Sequence, residues 1–233
     1  MWDLIALAAG LGFGLMGLAA YIKTNLEARR DTKEYQIRIE ELERIARSGQ
    51  RIDPRILIKE EKDLIDSAKH EIWILGINAL GVFHESFENI ISLIERGGKV
   101  KVLLLDPESE TFYRREVKEE GTGREKSGRL KAEHVASVAY CKDIVRLSNE
   151  RDALELRVYT EEPAVALLVA DPEENTGMIH INEYSTELTR GYAGAHRYIT
   201  KKLQTDIFPQ WLQKYEVLWS SARKVAMYEM EER

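Results

Sequence analysis

Cysteine is almost absent from this chain of 233 residues, and the single Cys141 excludes an internal disulfide and fits a reducing compartment. The five histidines are scattered, with no H-E-x-x-H and no paired C-x-x-C, so no metal and no cofactor is indicated. A basic excess is also missing. Lys and Arg total 34 against 40 Asp and Glu, a net charge of -6, which argues against general nucleic-acid binding without a local basic patch. What remains is ordinary for a globular domain: 44% hydrophobic and 32% charged residues, enough to bury one substantial core.

Only one stretch is long, apolar and uncharged. Leu4 to Ile22 has the length of a short membrane-spanning helix, with Trp2 and Tyr21 at the two interfaces. A cleaved signal peptide is the competing reading. However, the basic residues follow the run, and Asp3 stands where a positive leader belongs. Lys23, Arg29, Arg30 and Lys33 come directly after it, so the expectation is a single-pass anchor over residues 1–23 with the remainder cytoplasmic. Gly10 and Gly14 form a GxxxG face suited to close helix pairing. Residues 24–52 read as a helical stalk with a seam of about two heptads through Tyr35, Ile39, Leu42 and Ala46. Together they predict a homo-oligomer held by Gly10, Gly14, Ile39 and Leu42.

From residue 53 to about 228 the pattern becomes α/β. Asp53-Pro54 opens a helix, followed by apolar strands at Ile72–Ile77 and Val100–Leu105 with a helix of about Val82 to Glu95 between them. Tyr113 to Lys131, basic and broken by Gly121, Gly123 and Gly128, reads as an irregular connection, either solvated or folding over an anion. Ala132 to Glu150 returns to helix, with Cys141 on its apolar side. Three short strands follow, Leu154–Tyr159, Val165–Ala170 and Met178–Ile181. Arg190 to Arg197 reads as a glycine-rich loop. Pro209 opens a last helix whose Phe208, Trp211, Tyr215, Leu218 and Ala222 mark core packing. Strands covered by helices on both faces are the expected architecture.

The segment AVALLVAD, residues 164–171, resembles the H-x-K-x-x-x-x-D strand of phospholipase D-like proteins. That resemblance implies a phospholipase D-like mixed sheet flanked by helices. It also implies that Ala164 stands in the place of the nucleophilic His, Ala166 in that of the phosphate-holding Lys, and Asp171 in that of the Asp. Two methyl groups can neither attack phosphorus nor neutralise a phosphate.

Asn78 and Asp106 sit just past strand ends, where α/β crevices bind ligands and where turn residues also cap strands. Arg157, Tyr159, Asn182, Tyr184 and His196 are further ligand candidates, expected on one side of the sheet. They suit a nucleotide-like or other anionic small molecule, or form a satisfied polar fringe. The main functional expectation is a membrane-anchored, catalytically degenerate module for sensing, regulation or assembly, laid out like bacterial signalling or antiviral-defence effectors. An active, membrane-tethered, homodimeric phosphodiesterase or nuclease is the alternative, with His180 or His196 as nucleophile. A plain membrane scaffold is the third.

Overall fold

The computed structural model describes residues 54–120, 127–184 and 196–227, with side chains from residue 61. The chain divides into two units, Met1–Arg44 and Ile45–Arg233, and everything described lies in the second. The anchor, the stalk and the residues Gly10, Gly14, Ile39 and Leu42 lie outside the described residues. No helix among the described residues is long and apolar enough to cross a membrane.

Helix α1 (Pro54–Ser67) leads into β1 (Glu71–Gly76), α2 (Leu80–Glu95) and β2 (Lys99–Leu105). Helices α3 (Glu110–Glu120) and α4 (Arg129–Ser148) then cross to β3 (Leu154–Tyr159). Strands β4 (Val165–Ala170), β5 (Met178–Glu183) and β6 (His196–Thr200), helix α5 (Ile207–Ser221) and the two-residue β7 (Arg223–Lys224) complete the domain. The sheet order is β6-β5-β4-β1-β2-β3-β7. β1, β2 and β3 run parallel, whereas β4, β5 and β6 add antiparallel beside β1. β1 and β2 are buried on both faces, which is why they read as unbroken apolar runs.

On one face Trp73, Leu75, Leu103, Leu167, Ile179 and Ile181 form a core with Phe208 and Tyr215 of α5. The Tyr215 ring stacks on Trp73 with centroids 4.8 Å apart. Each such buried side chain contributes about 1.5–3 kcal/mol, so the aromatic spacing of α5 is core packing, as its periodicity predicts. α1, α2 and α4 cover the other face, where Leu64, Phe83, Ile90, Cys141 and Ile144 are buried. Gly97 (φ +88°) ends α2 in the left-handed conformation, with its N–H on Ile94 O and that of Gly98 on Leu93 O.

Two expectations fail. Tyr113 to Lys131 is not an irregular connection throughout, because Glu110–Glu120 is a helix and α4 starts at Arg129 rather than Ala132. The helix is held by an i,i+4 pair between Arg115 and Glu119, and the Glu120 carboxylate accepts the N–H groups of Arg129 and Leu130 at the head of α4. Burial raises the Glu120 pKa, but those amides outweigh it and the carboxyl lies below its usual range. The second failure is the loop assigned through Arg197, since His196 and Arg197 already belong to β6.

Candidate functional site

The register gathers the candidate residues at one end of the sheet. β1, β2 and β3 end there at Gly76, Leu105 and Tyr159. β4 runs the opposite way and starts there, with Leu167 opposite Leu75 and Ala164 exposed just before the strand. Asn182 lies between Ala166 on one side and His196 on the other. Side chains alternate between faces along a strand, so Ala166, Asn182, His180, His196 and Tyr198 share the face covered by α1.

On that face a chain of three groups is built. Glu61 Oε1 of α1 lies 3.1 Å from His180 Nδ1, and His180 Nε2 lies 3.1 Å from His196 Nδ1. A carboxylate only accepts, so with neutral rings His180 donates from Nδ1 to Glu61 and receives at Nε2 the Nδ1–H of His196. The Nε2 lone pair of His196 is then left over. The two rings are nearly coplanar, 10° apart, and His180 stacks on Tyr198 with centroids at 4.6 Å. Burial, then the neighbouring His180, depresses the His196 pKa to about 4, against an opposing pull from Glu61. His180 itself is 2% exposed and both its nitrogens are engaged. Among the described residues no Lys or Arg bonds to these three groups, Asn182 Oδ1 has no partner, and no His/Cys/Asp/Glu cluster could hold a metal.

Asp171 stands at the opposite end of β4, with φ at 47°. Its carboxylate accepts the backbone N–H groups of Lys69, His70 and Glu71 at 2.8, 2.8 and 3.0 Å. It therefore ties β4 to the start of β1 and orients no histidine.

The remaining candidates separate by face and by role. Arg157 bonds Glu155, donates to Trp219 O at 2.8 Å and lies over the Trp219 ring, so it fastens α5 to the sheet. Tyr159 is buried on the α5 face with its hydroxyl 3.4 Å from Gly76 O. Arg157 and Tyr159 thus do not meet Asn182 and His196, because the sheet lies between them. Asp106 caps the turn through Glu108 N–H and accepts Arg223 at 2.7 Å, while Asn78 accepts Leu80 N–H and donates to Glu133. Both are turn-forming residues in this fold.

The guanidinium that accompanies the tyrosines is Arg115, which the sequence reading missed inside its supposed loop. It is 4% exposed, lies 5.1 Å from the Tyr184 ring and bonds Glu119, which Arg129 links onward to Glu133. Tyr184 accepts the N–H of Ile77. Glu61, Arg115 and Tyr198 carry no local sequence signal, because their partners lie far away along the chain.

A cavity of about 610 Å³ opens at the same sheet end on the α5 face. Its floor includes Leu75 and Leu167, Ala164 and Val165 form one wall, and Trp211 and Leu218 of α5 form the other. Lys214 stands at its rim, 3.9 Å over the Trp211 ring.

Residues 55–226 match the family model described as a domain of unknown function, DUF5919. The chain belongs to the DUF5919 family. No curated protein matches it. Among solved structures, this DUF5919 chain is similar to TrmBL2, an archaeal chromatin protein whose structure shows a novel mode of DNA binding. The identity is 19% over 91% of this chain and 68% of that one, with a TM-score of 0.44. Nuc from Salmonella typhimurium, a phospholipase D family member, is 16% identical over 73% of this chain and 90% of its own, at 0.41. Phosphatidylserine synthase of Haemophilus influenzae Rd KW20 is 14% identical and scores 0.51, covering 76% of this chain but only 38% of the synthase. Likeness at such identities speaks for the fold and for no activity. The fold of this DUF5919 domain is a mixed seven-stranded sheet flanked by helices, similar to that of the phosphatidylserine synthase.

Proposed function

We propose that this DUF5919 domain is the cytoplasmic part of a membrane-anchored, catalytically silent phospholipase D-like module that senses, regulates or assembles. The observation that carries the reading is Ala166 beside Asn182 and His196, with Ala164 exposed just before the strand and no bonded cation among the described residues. Phosphoryl transfer needs a nucleophile and positive charge at the same place, and electrostatic stabilisation is commonly its largest contribution. Among the described residues one lone pair is available and no cation is bonded beside it. The buried guanidinium beside Tyr184, Arg115, bonds Glu119 through Nε, and its Nη2 has no hydrogen-bond partner among the described residues. A single anchor, a stalk and one α/β domain suit a protein that reports binding to the membrane, as in bacterial signalling or defence effectors.

A second reading has one observation in its favour. The Glu61–His180–His196 chain leaves His196 Nε2 free as an acceptor, the state a histidine nucleophile requires. Purified full-length protein assayed on lipid and nucleic-acid diesters separates the two. No turnover above buffer is expected. Turnover that is lost in His196→Ala and retained in His84→Ala would overturn silence and install the homodimeric phosphodiesterase in its place.

A further inference from the structure

We propose that the cavity between α5 and the sheet end binds an amphipathic small molecule with an apolar body and one anionic head, a fatty-acid-like carboxylate. The inference rests on the reading that the domain acts by binding, and it names the chemistry bound. The volume of about 610 Å³ lies within the roughly 300–1,000 Å³ of small-molecule sites, which are mostly apolar with few polar groups. Leu75 on β1, a central strand, lines the cavity, which lies open to solvent between α5 and the sheet end.

The rim is polarised. Lys214 has no carboxylate partner among the described residues, whereas Glu162 is paired to Arg114 at 3.6 Å. Gln210 donates its amide N–H to Asp206 O, and Gln213 completes the polar side. The Lys214 ammonium thus stands at the α5 edge of an apolar cavity, where it favours an anionic head over a neutral or cationic one. Val217, on the same edge, is 62% exposed, apolar surface that an occupant would cover.

Ala164 joins this cavity to the altered motif. It is exposed and lines the cavity, so the position where the resemblance places a nucleophile is here an alanine at the edge of an apolar space. A histidine there would bring a polar ring to the mouth. Alanine leaves the wall smooth.

The test uses full-length protein held in amphipol and a dansyl-undecanoic acid probe, read by energy transfer from tryptophan. Trp211 in the cavity wall is a near donor. Wild type should show a saturable one-to-one component. Ala164→Trp, at an exposed position that tolerates bulk, should weaken it by at least about tenfold by filling the cavity. Lys214→Glu should weaken the acid several-fold and leave the dansyl-undecanol analogue unchanged. No saturable component, or one unaltered by Ala164→Trp, overturns the site, and equal loss of acid and alcohol in Lys214→Glu overturns the head-group assignment. Diester turnover in the same preparation would refute the silent reading and leave the binding result standing. Absent binding without turnover would remove the cavity assignment alone.

Discussion

Replacing Asp171 tests whether the one polar residue of the altered motif serves the fold. Its carboxylate holds three backbone N–H groups, at Lys69, His70 and Glu71, and the residue is 5% exposed. A hydrogen bond to a charged group is worth about 1.5–3 kcal/mol, and a buried amide left without a partner costs about 1–3 kcal/mol. Three bonds at one site are not additive, and the donors are only partly buried, which brings Asp171→Ala to about 3–5 kcal/mol. That is a large share of the roughly 5–15 kcal/mol that stabilises a typical domain. Asp171→Asn should lose less, because Oδ1 still accepts from His70 and Glu71 while the new amide faces the N–H of Lys69. The assay is urea unfolding of the full-length protein followed by the fluorescence of buried Trp73. A loss below about 1 kcal/mol in Asp171→Ala would refute the assignment of this carboxylate as the tie between β4 and β1.

His196 makes stability fall with acid. Its folded pKa of about 4 lies below its ordinary 6.5, so the unfolded chain takes up the proton first. The neutral ring's contribution is full above about pH 6.5 and is lost as pH falls toward 4. That gap corresponds to about 3 kcal/mol at full burial and, with the ring partly exposed, to about 1–2 kcal/mol. His196→Gln should flatten the urea midpoint between pH 7 and pH 5, and an unchanged slope would refute this source. Burial pushes the Cys141 thiol far up, so alkylation should proceed only at the rate of unfolding, and rapid labelling of native protein would contradict its place in the core. For assembly, Gly10→Ile with Gly14→Ile, and separately Ile39→Lys with Leu42→Lys, should each weaken cross-linking in membranes. A monomeric wild type would exclude oligomers built through these segments.

The apolar runs at 72–77, 100–105 and 165–170 and the alternating stretch 154–159 place four strands within a residue or so, because runs fill strands buried on both faces and alternation marks a strand with a polar side. The aromatic spacing of α5 gives its inward side for the same reason. β6 is hidden because five residues, HRYIT, follow a glycine-rich stretch whose turn signal dominates the local reading. α3 is hidden because three glycines downstream and a high charge content outweigh the Arg115–Glu119 spacing inside it. For the candidate site, sequence places most of the residues at one sheet end, since strand ends can be read from the runs. It does not tell the two faces apart. Whether Arg157 meets His196 depends on which side of the sheet α1 and α5 occupy, and nothing local to either residue encodes that.

The Tyr215–Trp73 stack has a consequence for the order in which the domain is completed during synthesis. The strands β1, β2 and β3 can pair as soon as residue 159 has left the ribosome, and α2 and α4 then cover one face from within the same stretch. The opposite face, with Trp73, Leu75 and Leu103, waits for α5, the last helix to emerge. For about fifty residues of translation, at ~5–20 residues per second, the nascent chain carries an apolar sheet face on which only Phe112 and Leu130 are packed. A ribosome stalled before Ile207 would therefore present a folded half-domain to chaperones and to other nascent copies, and release of the final helix would end that exposure in a single docking step.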